Sequence, residues 1–168
     1  PAPAPASRHR QGQHDAALGV FPQQDGLLFP SHGCICHVVT AAQDKKVRFF
    51  RTSDGKPVGP VLDHPEGVMA AVFAPGGTPL ATACFDGKVR VWDPRSGALL
   101  RTLVGHRGSV VNLAFSPDGR LLLSAGHDKT ARLWSPQSGR PILSLTGHQE
   151  FVQGVDVAAD GATLATAS

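Results

Sequence analysis

Between Gly105 and Leu145 short apolar runs alternate with turn residues: Val110-Val-Asn-Leu-Ala-Phe115 before Ser-Pro-Asp-Gly119, Leu121-Leu-Leu-Ser-Ala125 before Gly126-His-Asp128, Thr130-Ala-Arg-Leu-Trp134 before Ser-Pro-Gln-Ser-Gly139, and finally Ile142-Leu-Ser-Leu145. Runs of this length bounded by Gly, Pro, Asp and Ser predict strands. Proline presets φ and glycine accepts positive φ, so Pro75-Gly-Gly77, Pro117-Asp-Gly119, Gly97 and Gly139 predict tight turns. The unit is a four-stranded meander. No window sustains the 3.6-residue period over the ten or so residues that an amphipathic helix needs, so the fold is predicted to be all-β.

The meander recurs. Trp92 and Trp134 stand 42 residues apart, as do Asp86 and Asp128, His64, His106 and His148, Gly55, Gly97 and Gly139, and Arg48, Arg90 and Arg132. No insertion breaks that register. Self-similarity at a fixed period of this size marks a repeat architecture, and the absence of helical periodicity disfavours helical arrays of similar period.

Gly-His, Ser-Pro-Asp-Gly, an Asp in a tight turn and Trp92-Asp93, recurring together, resemble the WD40 β-propeller family over about residues 35 to 168. The resemblance implies an incomplete arc of four-stranded antiparallel blades. Residues 63–104 and 105–146 form the second and third repeats, and 147–168 form a truncated fourth that stops at Ser168, the equivalent of Gly126. Residues 21–62 form a degenerate first, with Phe50-Arg51 in place of Trp-Asp and Pro22 where a His would fall. Residues 1–20, rich in Pro, Ala, Gln and His, offer too few large apolar groups to bury and are expected to be a disordered tail.

Composition narrows the function. The 168 residues carry 16 Lys+Arg against 13 Asp+Glu, a net charge of +3, with no basic run longer than Lys45-Lys46. No phosphate-tracking groove is indicated, and nucleic acid is not the expected partner. No apolar stretch approaches the roughly 18 to 20 residues of a membrane span, and the first residues lack a signal-peptide core, so a soluble cytoplasmic protein is expected. Three cysteines are too few for a disulfide framework. Propellers close with typically about 4 to 8 blades. An open arc leaves sheet edges uncovered, so the chain is expected to be completed by further propeller or by a second copy.

Each full repeat holds a His, a hydroxyl residue and an Asp: His64, Thr82 and Asp86, then His106, Ser124 and Asp128. These are the ingredients of an acyl-transfer triad. Their recurrence, the exchange of Thr for Ser and the Trp six residues after each Asp argue for a structural role instead. The family resemblance implies a hydrogen-bond chain in which Asp accepts from His, His meets the hydroxyl, and the hydroxyl takes the indole N–H of Trp92 or Trp134. Phe50 has no such N–H, so the first blade should lack the full chain.

Other candidates carry less. Cys34-Ile-Cys36-His37 is one residue short of the c-type haem pattern, and Cys84 lies mid-repeat, so no metal and no cofactor are expected. Arg48, Arg90 and Arg132 share the face of the Trp position and are expected to pair with carboxylates brought close by adjacent blades. Gly126-His127-Asp128 and Ser116-Pro-Asp-Gly119 lack the residues of phosphate and calcium loops.

Binding residues concentrate on loops of rigid scaffolds. The resemblance places partners on the top face, where the positions before each turn Asp are Gln43, Phe85 and His127. Those early in each innermost strand are Met69, Val111 and Gln153, with Phe151 beside them. Phe85, Met69 and Phe151 would form an apolar anchor there, or else fill gaps between blades. The expected function is a non-catalytic scaffold for protein or peptide partners. The alternative is a regulatory or sensor segment of a larger signalling protein, since Gly55-Lys-Pro-Val-Gly-Pro60 with His64-Pro65 resembles arrays attached to bacterial protein kinases.

Overall fold

The computed structural model describes residues 18–21 and 37–168. Four antiparallel sheets follow in chain order. The first contains β1 (Leu18–Phe21), β2 (His37–Ala41), β3 (Lys46–Arg51) and β4 (Pro57–Asp63). The second contains β5 (Val68–Phe73), β6 (Leu80–Cys84), β7 (Lys88–Trp92) and β8 (Leu99–Val104). The third contains β9 (Val110–Phe115), β10 (Leu122–Gly126), β11 (Ala131–Trp134) and β12 (Pro141–Leu145). The fourth has two strands, β13 (Gly154–Val157) and β14 (Leu164–Ala167). Each is a meander of sequential neighbours, and no helix occurs among the described residues.

Period-2 alternation explains the packing. In β10, Leu122 and Ser124 face the second sheet, while Leu123 and Ala125 face the fourth, and all are buried. The core therefore lies between blades. Val39, Val47, Phe49 and Leu62 meet Val68, Phe73, Leu80 and Trp92 in the first layer. In the second, Ala81, Ala83, Val89 and Leu103 meet Val110, Leu113, Leu122 and Trp134. Leu123, Ala125, Ala131 and Leu133 meet Val152 in the third, with Val155, Val157 and Leu164 half-buried against them.

Strand β6 is buried at every position, whereas its repeat equivalent β14 alternates half-buried and exposed. The outward side of β14 has no further sheet against it among the described residues. Outer strands β8 and β12 are largely exposed.

The first blade departs from the repeat register. A 42-residue offset from β5 would place its innermost strand at 26–31, but the strand paired with β2 is Leu18–Phe21, in the register Leu18↔Thr40 to Phe21↔His37. Leu18-Gly-Val-Phe21, which spans the boundary expected at residue 20 between tail and first repeat, pairs with the β2 edge. Residues 1–17 of the expected tail, and Pro22, Cys34 and Cys36 of the expected first repeat, lie outside the described residues.

Candidate functional site

The turns joining the two middle strands of each blade and the loops leading into the next innermost strand share one end of the molecule. Backbone hydrogen bonds tie them together: Val68 N–H to Ala42 O at 3.1 Å, Phe85 N–H to Gly67 O at 2.9 Å, His127 N–H to Ser109 O at 2.9 Å and Val152 N–H to Gly126 O at 3.3 Å. The third turn residue takes a left-handed conformation in each case, at Lys45 (φ 69°), Gly87 (φ 77°) and Lys129 (φ 64°). Lysine pays for that backbone with reach: Lys45 donates to Pro65 O and Lys129 to Gln149 O, each on the following loop.

In the third blade four polar groups stand in sequence. Asp128 accepts from His106 Nδ1 at 3.0 Å, which leaves Nε2 as acceptor for the Ser124 hydroxyl at 2.8 Å. Ser124 Oγ in turn accepts the Trp134 indole N–H at 2.8 Å. Asp128 also accepts from the Arg107 backbone N–H and the Thr130 hydroxyl. Burial raises the pKa of its carboxyl, but these donors outweigh burial and hold it at about 2. Burial also lowers the His106 pKa, against the pull of Asp128, and so favours the neutral ring.

The second blade does not follow the expected chain. Trp92 Nε1 donates to Thr82 Oγ1 and His64 Nε2 meets the same hydroxyl, both at 2.9 Å, but His64 Nδ1 turns to Leu62 O at 3.3 Å. Asp86 instead grips Arg90 through two bonds, at 3.2 and 2.6 Å. Burial opposes ionisation of Asp86, and the guanidinium overcomes it and lowers the pKa.

Three positions around this contact differ between the two blades: Pro65 has no N–H to match that of Arg107, Lys88 has no hydroxyl to match that of Thr130, and Cys84 stands where the third blade has Gly126. A β-carbon at Gly126 would stand 2.4 Å from His106 Nδ1, so the His–Asp contact needs glycine there. Its equivalent in the second blade is Cys84, fully buried, with its thiol directed to Glu66 O at 3.4 Å. In the fourth sheet the equivalent is Ser168, and its hydroxyl meets His148 Nδ1 at 3.0 Å while Nε2 meets Thr166 at 2.8 Å. The contrast of Gly126 with Cys84 at repeat spacing was visible in the sequence; its meaning required the histidine's position.

As a catalytic arrangement the third-blade set is closed. Ser124 is 0% exposed and the His106 side chain 1%, and the hydroxyl already carries an indole and an imidazole. A nucleophile needs an open face toward its substrate, and this one has none.

The arginines pair within a blade, not between blades as expected. Arg90 meets Asp86 at 2.6 Å and Arg48 meets Asp44 at 2.7 Å, because a turn Asp and the strand residue four positions on lie on the same side of the blade. Arg132 has no such partner, since Asp128 is engaged by His106, Arg107 and Thr130. Its Nε is buried with no hydrogen-bond partner among the described residues.

Of the predicted top-face residues, Phe85 and Phe151 are exposed, at 38% and 45%. Phe85 lies across Gly67, where a β-carbon would come within 2.8 Å of its ring and 3.3 Å of Gln43 Cα. His127 and Phe151 stack, with centroids 4.5 Å apart and planes 19° from parallel. Ser109, which sequence reasoning did not single out, joins the two halves: its hydroxyl donates to Phe85 O at 3.2 Å and its carbonyl accepts from His127 N–H. Gln43 and Gln153 are exposed, and Gln153 O accepts from Asn112. Met69 is half-buried on β5, and Val111 is half-buried against the core between the third and fourth blades.

A cavity of about 480 Å³ opens at the opposite end, lined by Thr78, Pro79, Asp93, Leu100, Arg101 and Gln137. Its carboxylate is spent on the local turn, where Asp93 accepts from Arg95 N–H and the Ser96 hydroxyl. Among the described residues no group of three or more His, Cys, Asp or Glu could hold a metal ion, and no helix is long and apolar enough to cross a membrane.

No curated protein matches the chain. The family described as WD domain, G-beta repeat matches at residues 55–93, 97–135 and 139–168. Repeats of this family generally mediate protein–protein interaction and are typically not catalytic. Three consecutive matches, laid over sequential four-stranded antiparallel sheets that bury their cores between blades, place this chain in the WD40 repeat family.

Proposed function

We propose that this chain is a non-catalytic scaffold whose protein or peptide partner docks on the end carrying Phe85, His127 and Phe151. The observation that carries this reading is a pair of exposed phenylalanines on one end of a rigid framework. Phe85 is held across Gly67 and Phe151 against His127, with Ser109 bonded to the turns of both. Large aromatic groups presented with little conformational freedom are what interfaces use as anchors. Gln43, Met69, Val111 and Gln153 would supply the surrounding surface. The exposed glutamines offer hydrogen bonds, and the half-buried Met69 and Val111 offer apolar floor.

The test compares partners captured by the full chain with those captured by Phe85→Ala, Met69→Ala and Phe151→Ala variants of unchanged melting temperature. Loss of the same partners in the phenylalanine variants supports the reading. Retention of every partner in all three sinks it. Hydrolytic activity that disappears in Ser124→Ala would overturn the non-catalytic assignment.

A further inference from the structure

We infer that the partner's docking segment is acidic, with carboxylates flanking an apolar anchor that lies on the His127–Phe151 stack; this rests on the docking face proposed above. The argument comes from which charges at this end are already neutralised. Around the first and second blades the ions pair off: Lys45 with Glu66, Lys46 with Asp63, Arg48 with Asp44 and Arg90 with Asp86. Around the third blade they do not. Arg107 and Lys129 have no carboxylate within ion-pair distance among the described residues and are exposed, and Lys88 on β7 of the second blade is the exception there that likewise has none. Asp128 sits among them, but its oxygens are directed inward to His106, Thr130 and the Arg107 backbone N–H. Glu150 is the one exposed carboxylate of the loop that carries Phe151.

The result is a net positive rim beside an exposed aromatic pair, with three cations, Lys88, Arg107 and Lys129, against the carboxylates of Asp128 and Glu150. Opposite potentials across an interface steer encounter and fix orientation. At this end the cations without an ion pair lie around the third blade, while Lys45 and Lys46 farther along are neutralised; Lys56, Arg95 and Arg140, also without an ion pair, sit on the turns of the opposite end. A nucleic acid would instead need a continuous basic track to neutralise successive phosphates. A short acidic peptide fits the footprint.

The experiment measures binding of three labelled peptides to the full chain by fluorescence anisotropy: a tryptophan flanked by glutamates, the same flanked by glutamines, and the same flanked by lysines. A short single-stranded oligonucleotide runs alongside. Lys129→Glu and Arg107→Glu carry the charge test. Lys129→Gly removes the charge and relieves a left-handed lysine but also removes the bond to Gln149 O, so Arg107→Glu alone, at unchanged melting temperature, separates charge from loop position. Expected are tightest binding of the glutamate peptide, a weakening of about tenfold in the double reversal, and convergence of the glutamate and glutamine peptides at high salt.

Equal affinity for all three peptides, lost in Phe151→Ala, overturns the acidic assignment while leaving the docking face standing. Binding of all three that survives Phe85→Ala and Phe151→Ala overturns the docking face itself. Tighter binding of the oligonucleotide than of the glutamate peptide, lost in the same charge variants, overturns the inference in favour of nucleic acid.

Discussion

Gly126 leaves His106 just enough room: a β-carbon there would stand 2.4 Å from Nδ1 of the ring and 2.8 Å from Oδ1 of Asp128. The backbone at Gly126 needs no positive φ, so the glycine serves space alone. That space, with the Arg107 N–H and Thr130 hydroxyl that Pro65 and Lys88 do not supply in the second blade, lets Asp128 bond its histidine where Asp86 bonds its arginine.

Gly126→Cys should push the His106 ring away from Asp128, which stays held by the Arg107 N–H and the Thr130 hydroxyl. The melting temperature should fall by an amount equivalent to about 1–3 kcal/mol. Chemical shifts of the His106 ring report the change. An unmoved His106 and an unchanged melting temperature would contradict the steric account.

The aspartates should couple to different partners. A double-mutant cycle on Asp86 and Arg90 should return an interaction of more than about 1 kcal/mol, and so should a cycle on Asp128 and His106. Asp86 with His64 should return close to none, since no hydrogen bond joins them. Strong Asp86–His64 coupling by denaturant unfolding would mean that the expected chain forms in the second blade after all.

Arg132→Met should be tolerated better than Arg90→Met. Removing Arg90 strands the half-buried carboxylate of Asp86, whereas Arg132 leaves no carboxylate behind and takes with it a buried Nε that has no partner. The expected result is an Arg132→Met chain as stable as the parent, and an Arg90→Met chain destabilised by roughly 3 kcal/mol.

Stability should fall in two stages as pH drops. Burial holds His64 and His106 below their ordinary pKa, so the unfolded chain takes up protons that the folded chain refuses. That stability is fully present above about pH 6.5 and is lost on acidification below it. Asp128, held at about 2, contributes stability present above the usual carboxylate range near pH 4 and lost as pH falls toward its folded value. Melting curves between about pH 7 and about pH 2 check both stages, with His64→Gln reducing the first and Asp128→Asn the second. A flat profile across the first stage would show that neither ring is held neutral.

Ser124→Ala should cost more than a surface hydroxyl. It leaves the Trp134 indole N–H and the neutral His106 Nε2 without their partner in a site that is 0% exposed at Ser124. About 1–3 kcal/mol is expected from denaturant titration. A loss within about 0.5 kcal/mol, the range of ordinary surface substitutions, would mean that the four groups are not a linked set.

The strands were legible because each is written twice in the same register. A period of two residues along Leu122-Leu-Leu-Ser-Ala125 and a period of 42 along the chain are both properties of sequence order. They predict a meander, its turns and the stacking of units without reference to any distance. The same order placed His106, Ser124, Asp128 and Trp134 in correspondence with His64, Thr82, Asp86 and Trp92.

Correspondence did not decide contact. Whether Asp86 meets His64 or Arg90 depends on the space beside a histidine 18 residues or more away along the chain, and Cys84 fills the volume that Gly126 leaves empty. The first blade shows the same limit, because its innermost strand is Leu18–Phe21, eight residues before the repeat offset, and the pairing with β2 fixed the choice. Sequence determined which residues are equivalent, since equivalence is a matter of spacing. Tertiary structure decided which equivalents interact alike, since hydrogen bonds and ion pairs depend on ångström-scale volume contributed by neighbours that spacing does not encode.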